Sequence, residues 1–158
     1  MNATRNDLPG KTRKAMVELL NASLADAMDL FSQAKQAHWN VKGPSFIALH
    51  ELFDKVSQQV EEFADDLAER AVALGGRADG TVRNSAKNSS LDEFPHKIAE
   101  QAEFVDALAE ALAAFGKRVR AAIDAASEAK DQGTADLYTG ISRETDKLLW
   151  FVESHRAK

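Results

Sequence analysis

The sequence predicts an all-α fold: a four-helix bundle with a long crossover between helices two and three. Three observations predict it. Apolar residues recur three and four apart along four long segments. Glycine and proline are sparse, and Pro9-Gly10, Gly43-Pro44, Gly75-Gly76, Gly80 and Gly133 fall between those segments. No stretch alternates with period two over a useful length, so strands are not expected. A short link, a long link and a short link suit this topology, because the long middle connection can carry the chain along the bundle.

The first segment, about Thr12 to Trp39, repeats Met16, Leu20, Ala27, Leu30, Phe31 and Ala34. The second starts after Pro44-Ser45, with Ser45 as expected N-cap, and stops at Gly75-Gly76. Its apolar set is Leu49, Phe53, Val56, Val60, Phe63, Leu67, Ala71 and Leu74. A connection from Gly76 to Pro95 follows. The third segment, about His96 to Ala129, repeats Ile98, Ala102, Val105, Leu108, Leu112, Phe115, Val119 and Ile123. The fourth begins near Thr134 and carries Leu137, Ile141, Leu148 and Val152.

With 158 residues, 44% of them hydrophobic and 28% charged, the chain has the size and balance of one globular domain with a real core. No apolar run reaches the roughly 20 residues that span a bilayer, and the start lacks the apolar stretch of a signal peptide. There is no cysteine, which excludes disulfides and thiolate chemistry. A cytoplasmic setting is the expectation. The net charge of −5 argues against a dedicated nucleic-acid surface while leaving room for a local basic patch.

The stretch from Gln36 to Asp54 gathers His38, His50 and Asp54. It is not the zinc motif H-E-x-x-H, since Asp54 stands where the second histidine belongs. With His50 set at zero and ~100° per residue, the apolar face of the second segment centres near 265°. His50, Asp54, Asp65 and Glu69 fall at about 0°, 40°, 60° and 100°, on a stripe turned away from that face. His50/Asp54 and Asp65/Glu69 are i,i+4 pairs, each able to chelate one ion. Their centres, at 52 and 67, are about 22 Å apart along a helix, too far for one metal. Two copies of the helix, antiparallel about a two-fold axis near Gln59, would set each His50/Asp54 pair opposite the other chain's Asp65/Glu69. His38 can join from the first chain. Imidazole with carboxylates suits Fe(II), Mn(II) or Zn(II) rather than Cu(I). The plainer reading is a solvated acidic face. Glu61 counts against the pairing, since it would meet its own copy near the axis unless a cation or proton intervenes.

The residues TRNDL, KQAHWNVKGPSFIALHELFD, DDLAERAVALGGRADGT, TADLYTGISRETDKLLWF and the closing ES resemble the Dps family, the DNA-binding proteins from starved cells, over nearly the whole chain. HWNVKGPSF followed by LH, FD and D-x-x-x-E-R is the specific part. The resemblance implies a single ferritin-like domain, residues 1–158, with 1–11 a short N-terminal extension. It implies a dodecameric hollow shell with ferroxidase di-iron centres at two-fold interfaces. His38, His50 and Asp54 match ligands from one subunit, and Asp65 and Glu69 those from its neighbour. Lys35 and Trp39 match residues beside the centre. The implied activity is oxidation of Fe(II), preferably by hydrogen peroxide, with Fe(III) stored as mineral. Trp39 and Trp150 are candidates for quenching stray radicals, and core packing is the plainer reading of both. Acidic residues near the turn between helices three and four line iron-entry pores in the family. Asp124, Glu128, Asp131 and Asp136 are the candidates here, although Asp136 also suits a helix first turn.

Glu93-Phe94-Pro95-His96 reads as the E-x-x-H of larger ferritins but is expected to be a decoy, since Pro95 puts it at a helix start. His155 is expected to be solvated. DNA binding, with compaction of the nucleoid as main role, is the alternative function. Many members use a lysine-rich mobile tail, and only four residues precede Arg5 here. Arg5, Lys11, Arg13 and Lys14, with Arg156 and Lys158 adding little, predict weak binding. A non-enzymatic helical bundle is the third reading.

Overall fold

The chain runs α1 (Gly10–Asn40), α2 (Phe46–Ala73), α3 (Val82–Asn88), α4 (Gln101–Glu128) and α5 (Gln132–Glu153) in a computed structural model that describes residues 1–156. Lys158 lies outside the described residues. Four of these are the expected long helices, and no strand occurs among the described residues. α1 packs along α2 and α4 along α5, with α1–α4 and α2–α5 contacts closing the bundle. α2 and α5 are antiparallel: Arg70 meets Thr134 at one end, and Lys55 lies over Phe151 at the other.

The apolar stripes meet in one core. Leu20, Leu30, Leu49, Phe53, Leu67, Leu108, Leu112, Phe115 and Tyr138 are buried completely or nearly so. Each such side chain contributes roughly 1.5–3 kcal/mol by leaving water. Tyr138 takes its phenol to the centre, where it shares a 2.9 Å hydrogen bond with the Ser23 hydroxyl. Burial pushes its pKa far above the ordinary value.

Helix ends depart from expectation for identifiable reasons. Ser45 occupies the N-cap position of α2, but its hydroxyl makes no cap. Its N–H instead donates to Oε1 of Gln101 at 2.9 Å. At the other end of α2, Gly75 has φ +84°, and the N–H groups of Gly75 and Gly76 donate to Val72 and Ala71. This is the paired closure that needs a left-handed residue. α4 starts at Gln101 rather than near His96, because the Glu103 carboxylate accepts the N–H groups of Ala99 and Glu100 and fixes the first turn there. α5 starts two residues early, with Asp131 as N-cap accepting from the Thr134 N–H at 3.1 Å.

The crossover is not featureless. It contains α3, capped by the Thr81 hydroxyl, and it is clipped to α1. Asp26, buried on α1, accepts from the N–H and hydroxyl of Ser90, and Asp29 accepts from the Ser89 hydroxyl. Arg118 of α4 donates to the Ser90 carbonyl. A buried carboxylate so supplied with donors holds a loop that has few apolar anchors beyond Leu91 and Phe94.

Candidate metal centre

The α1–α2 turn brings His38, His50 and Asp54 to one end of the hairpin. The two imidazoles stack with centroids 3.8 Å apart and planes 22° from parallel. Nδ1 of His38 lies 2.7 Å from the His50 carbonyl, and Nδ1 of His50 lies 2.8 Å from the His38 carbonyl. A carbonyl only accepts, so each Nδ1 carries a proton and donates. In the neutral ring the free lone pair is then on Nε2, the arrangement that suits a metal-binding imidazole.

One helical turn further, the Asp54 carboxylate is held at both oxygens. Lys35 Nζ is 2.7 Å from Oδ1, and Gln58 Nε2 is 2.9 Å from Oδ2. The Lys35 hydrogen bond, chiefly, holds the Asp54 pKa below the ordinary aspartate value. Oδ1 also takes a long 3.5 Å contact from the Ser57 hydroxyl, while Oδ2 retains a lone pair with which the group can ligate a metal. Lys35 also lies 5.7 Å from the ring centroid of Trp39. Core packing does not describe either indole: Trp39 is 66% and Trp150 63% exposed on the subunit. Each lies near a helix end, on the outer face.

Asp65 and Glu69 stand exposed on α2. Neither has a hydrogen-bond or ion-pair partner among the described residues. Their helix is continuous from Phe46 to Ala73, so the ~22 Å axial offset from the histidine end holds. No group of three or more metal-ligating side chains close enough to hold an ion occurs among the described residues of one chain. The donors are neutral imidazole and carboxylate, a borderline-to-hard set that fits Fe(II) and, through its carboxylates, favours Fe(III) more. Glu61 is exposed between the two pairs.

The acidic candidates near the α4–α5 turn differ among themselves. Asp124, Glu128 and Asp136 are exposed. Asp131 is 2% exposed and has no free face: besides capping α5 it takes a 2.8 Å ion pair from Arg70. Glu93 and His96 pair with each other at 2.7 Å on the surface, outside any helix. His155 is exposed, its Nδ1 donating to the Phe151 carbonyl.

Sequence reasoning missed Gln58, Arg70 and the serine clip of the crossover. Gln58 was within reach, since it lies four residues beyond Asp54 on the same face. Arg70 and the serines act across 60 or more residues of sequence, where no local pattern reports them.

The ferritin-like domain family matches residues 17–158. The "DNA protection during starvation protein" of Agrobacterium fabrum is 43% identical over 96% of this chain and 94% of its own length. The chain belongs to the Dps family. Among solved structures, DpsC from Streptomyces coelicolor superposes with TM-score 0.94 at 30% identity, covering 99% of this chain and 92% of that one. A Dps from Microbacterium arborescens, solved in a high iron form, gives TM-score 0.86 at 33% identity, covering 98% and 97%. The Dps stretch HWNVKGPSF with LH and FD folds here as the hairpin that carries His38, His50 and Asp54. The D-x-x-x-E-R run forms the last turns of α2, with Arg70 turned to the bundle and Asp65 and Glu69 to solvent.

Proposed function

We propose that this chain is the subunit of a dodecameric iron-oxidising and iron-storing shell, whose di-iron centres form where two subunits meet about a two-fold axis. The observation that carries the reading is the split donor set. A stacked His38/His50 pair, with Asp54 one turn further along α2, lies at one end of that helix, and two carboxylates without a partner among the described residues lie on the same side about 22 Å away. An antiparallel copy of α2 supplies each half with the other. The Microbacterium relative, solved in a high iron form, supports iron as the metal.

Iron is the substrate. Two Fe(II) ions each give up one electron, and hydrogen peroxide takes both, with two protons, to leave as two waters. Taking the electrons together avoids hydroxyl radical. The chain's own part is to present Nε2 of both histidines, fix their tautomer, and surround the ions with carboxylates that stabilise the higher charge of Fe(III). Lys35 holds Asp54 ionised. Trp39, beside the centre, is placed to surrender an electron to a stray oxidant. Exposed Asp124, Glu128 and Asp136 are the residues proposed to draw Fe(II) through a pore, with Asp131 and Arg70 supporting the turn that carries them.

The test is anaerobic loading with Fe(II), then peroxide, following mineral absorbance and particle mass on one sample. Asp65→Asn is expected to assemble normally and oxidise iron at least tenfold more slowly. Unchanged kinetics in that variant would remove the centre. Compaction of DNA is the competing function. Against it as the main role, the N-terminal segment folds back on the bundle, with Asn2 N–H donating to the Gly75 carbonyl at 2.6 Å and Arg13 to the carbonyls of Leu8 and Leu74.

A further inference from the structure

We propose that Gln101 is a positioning residue for the histidine half of the metal centre, acting through the α1–α2 turn. The inference rests on the iron-oxidising reading above and deepens it.

A helix begins with N–H groups that have no partner within it. At α2 the Ser45 hydroxyl does not supply one, and the amide oxygen of Gln101 does, from the first residue of another helix. The fit is close. Gly43 has φ +131°, and a Cβ on it would stand 3.0 Å from Gln101 Oε1 and 3.2 Å from Gln101 Cβ. The left-handed backbone favours glycine here, and a side chain would press Gln101 back by a few tenths of an ångström. The Phe46 N–H then bonds back to the Gly43 carbonyl at 3.1 Å, so the turn closes around the incoming amide. Gln101 is itself fixed, because Glu103 accepts two N–H groups just ahead of it and sets where α4 starts.

The same turn sets the register of the two histidines. Each ring donates to the other residue's carbonyl, so both bonds need α1 and α2 aligned to within a hydrogen bond's tolerance. A shift of the α2 N-terminus lengthens both at once. It frees the rings to rotate and loses the tautomer that leaves Nε2 open. Gln101 touches no ligand. It acts on the connection between α1 and α2, residues 41–45, at Gly43 and Ser45.

Co(II), which needs no oxidant to report its coordination, provides the readout. Titration calorimetry and the visible cobalt spectrum would be recorded on assembled wild type, His50→Ala, Gln101→Met, Gln101→Glu and Gly43→Ala, with particle mass by light scattering. Wild type should bind and His50→Ala should lose the spectrum. Gln101→Met, similar in size but without an acceptor, should weaken Co(II) about tenfold, as disturbed supporting shells do, and broaden the bands. Gln101→Glu keeps an oxygen for the Ser45 N–H and should restore wild-type binding. Gly43→Ala should imitate Gln101→Met. Normal binding in Gln101→Met, or a Glu variant as impaired as the Met variant, would overturn the inference while leaving the centre intact. If Gln101→Met does not assemble, normal Co(II) binding by assembled Gly43→Ala overturns it equally. A wild type that ignores Co(II), or a His50→Ala protein that binds like wild type, would sink the underlying reading and this inference with it.

Discussion

At the scale of single residues, the centre depends on groups whose protonation is set by neighbours. Asp54 has its pKa depressed first by the Lys35 hydrogen bond. A depressed acid adds stability above its unfolded pKa, near about 3.9, and loses it as pH falls through the lower folded value. In an acid titration followed by circular dichroism, Lys35→Met is therefore expected to show a flatter stability profile below about pH 4 than wild type. Tyr138 gives the opposite limb. Its folded pKa is raised, so its contribution is complete below about pH 10 and declines as pH rises above that value. Tyr138→Phe should flatten the alkaline side, seen as a smaller drop in melting temperature between pH 9 and pH 11. The residues of the site were legible as types: two histidines, three carboxylates and their i,i+4 spacing stand in the sequence. Their hydrogen bonds were not, since the ring-to-carbonyl exchange joins residues whose registry only the folded turn defines.

At the scale of elements, α2 carries both halves of the proposed centre, and both its ends are secured by other helices. Arg70 reaches from its last turn to the buried Asp131 that caps α5, and donates to the Thr134 hydroxyl as well. Removing the cation strands a charge that is 2% exposed. Arg70→Leu should cost on the order of 3 kcal/mol in chemical denaturation, with α5 fraying first in hydrogen exchange. Four helices were legible because their apolar period persists over about six or more turns. Their starts were less so. His96 to Glu100 carry helix-forming residues, yet a carboxylate three residues on decides where the helix opens. The short α3 announces itself only by Thr81, a cap signal too weak to find without knowing where to look.

At the scale of the whole molecule, charge and the disposition of the N-terminus bear on DNA. The net charge is −5 per chain, and Arg13 is engaged by backbone carbonyls. Gel-shift titration across salt is expected to show little complex near physiological ionic strength, where counterion release favours dissociation. A tight complex persisting there would restore DNA compaction as a leading role. The two carboxylates left without partners on α2 have a last consequence. On the proposed reading the centre is divided between chains, so a newly synthesised monomer would own only half of it and be a poor catcher of ferrous ions. Oxidation would then wait until at least two copies have met, so mass action would set assembly ahead of chemistry.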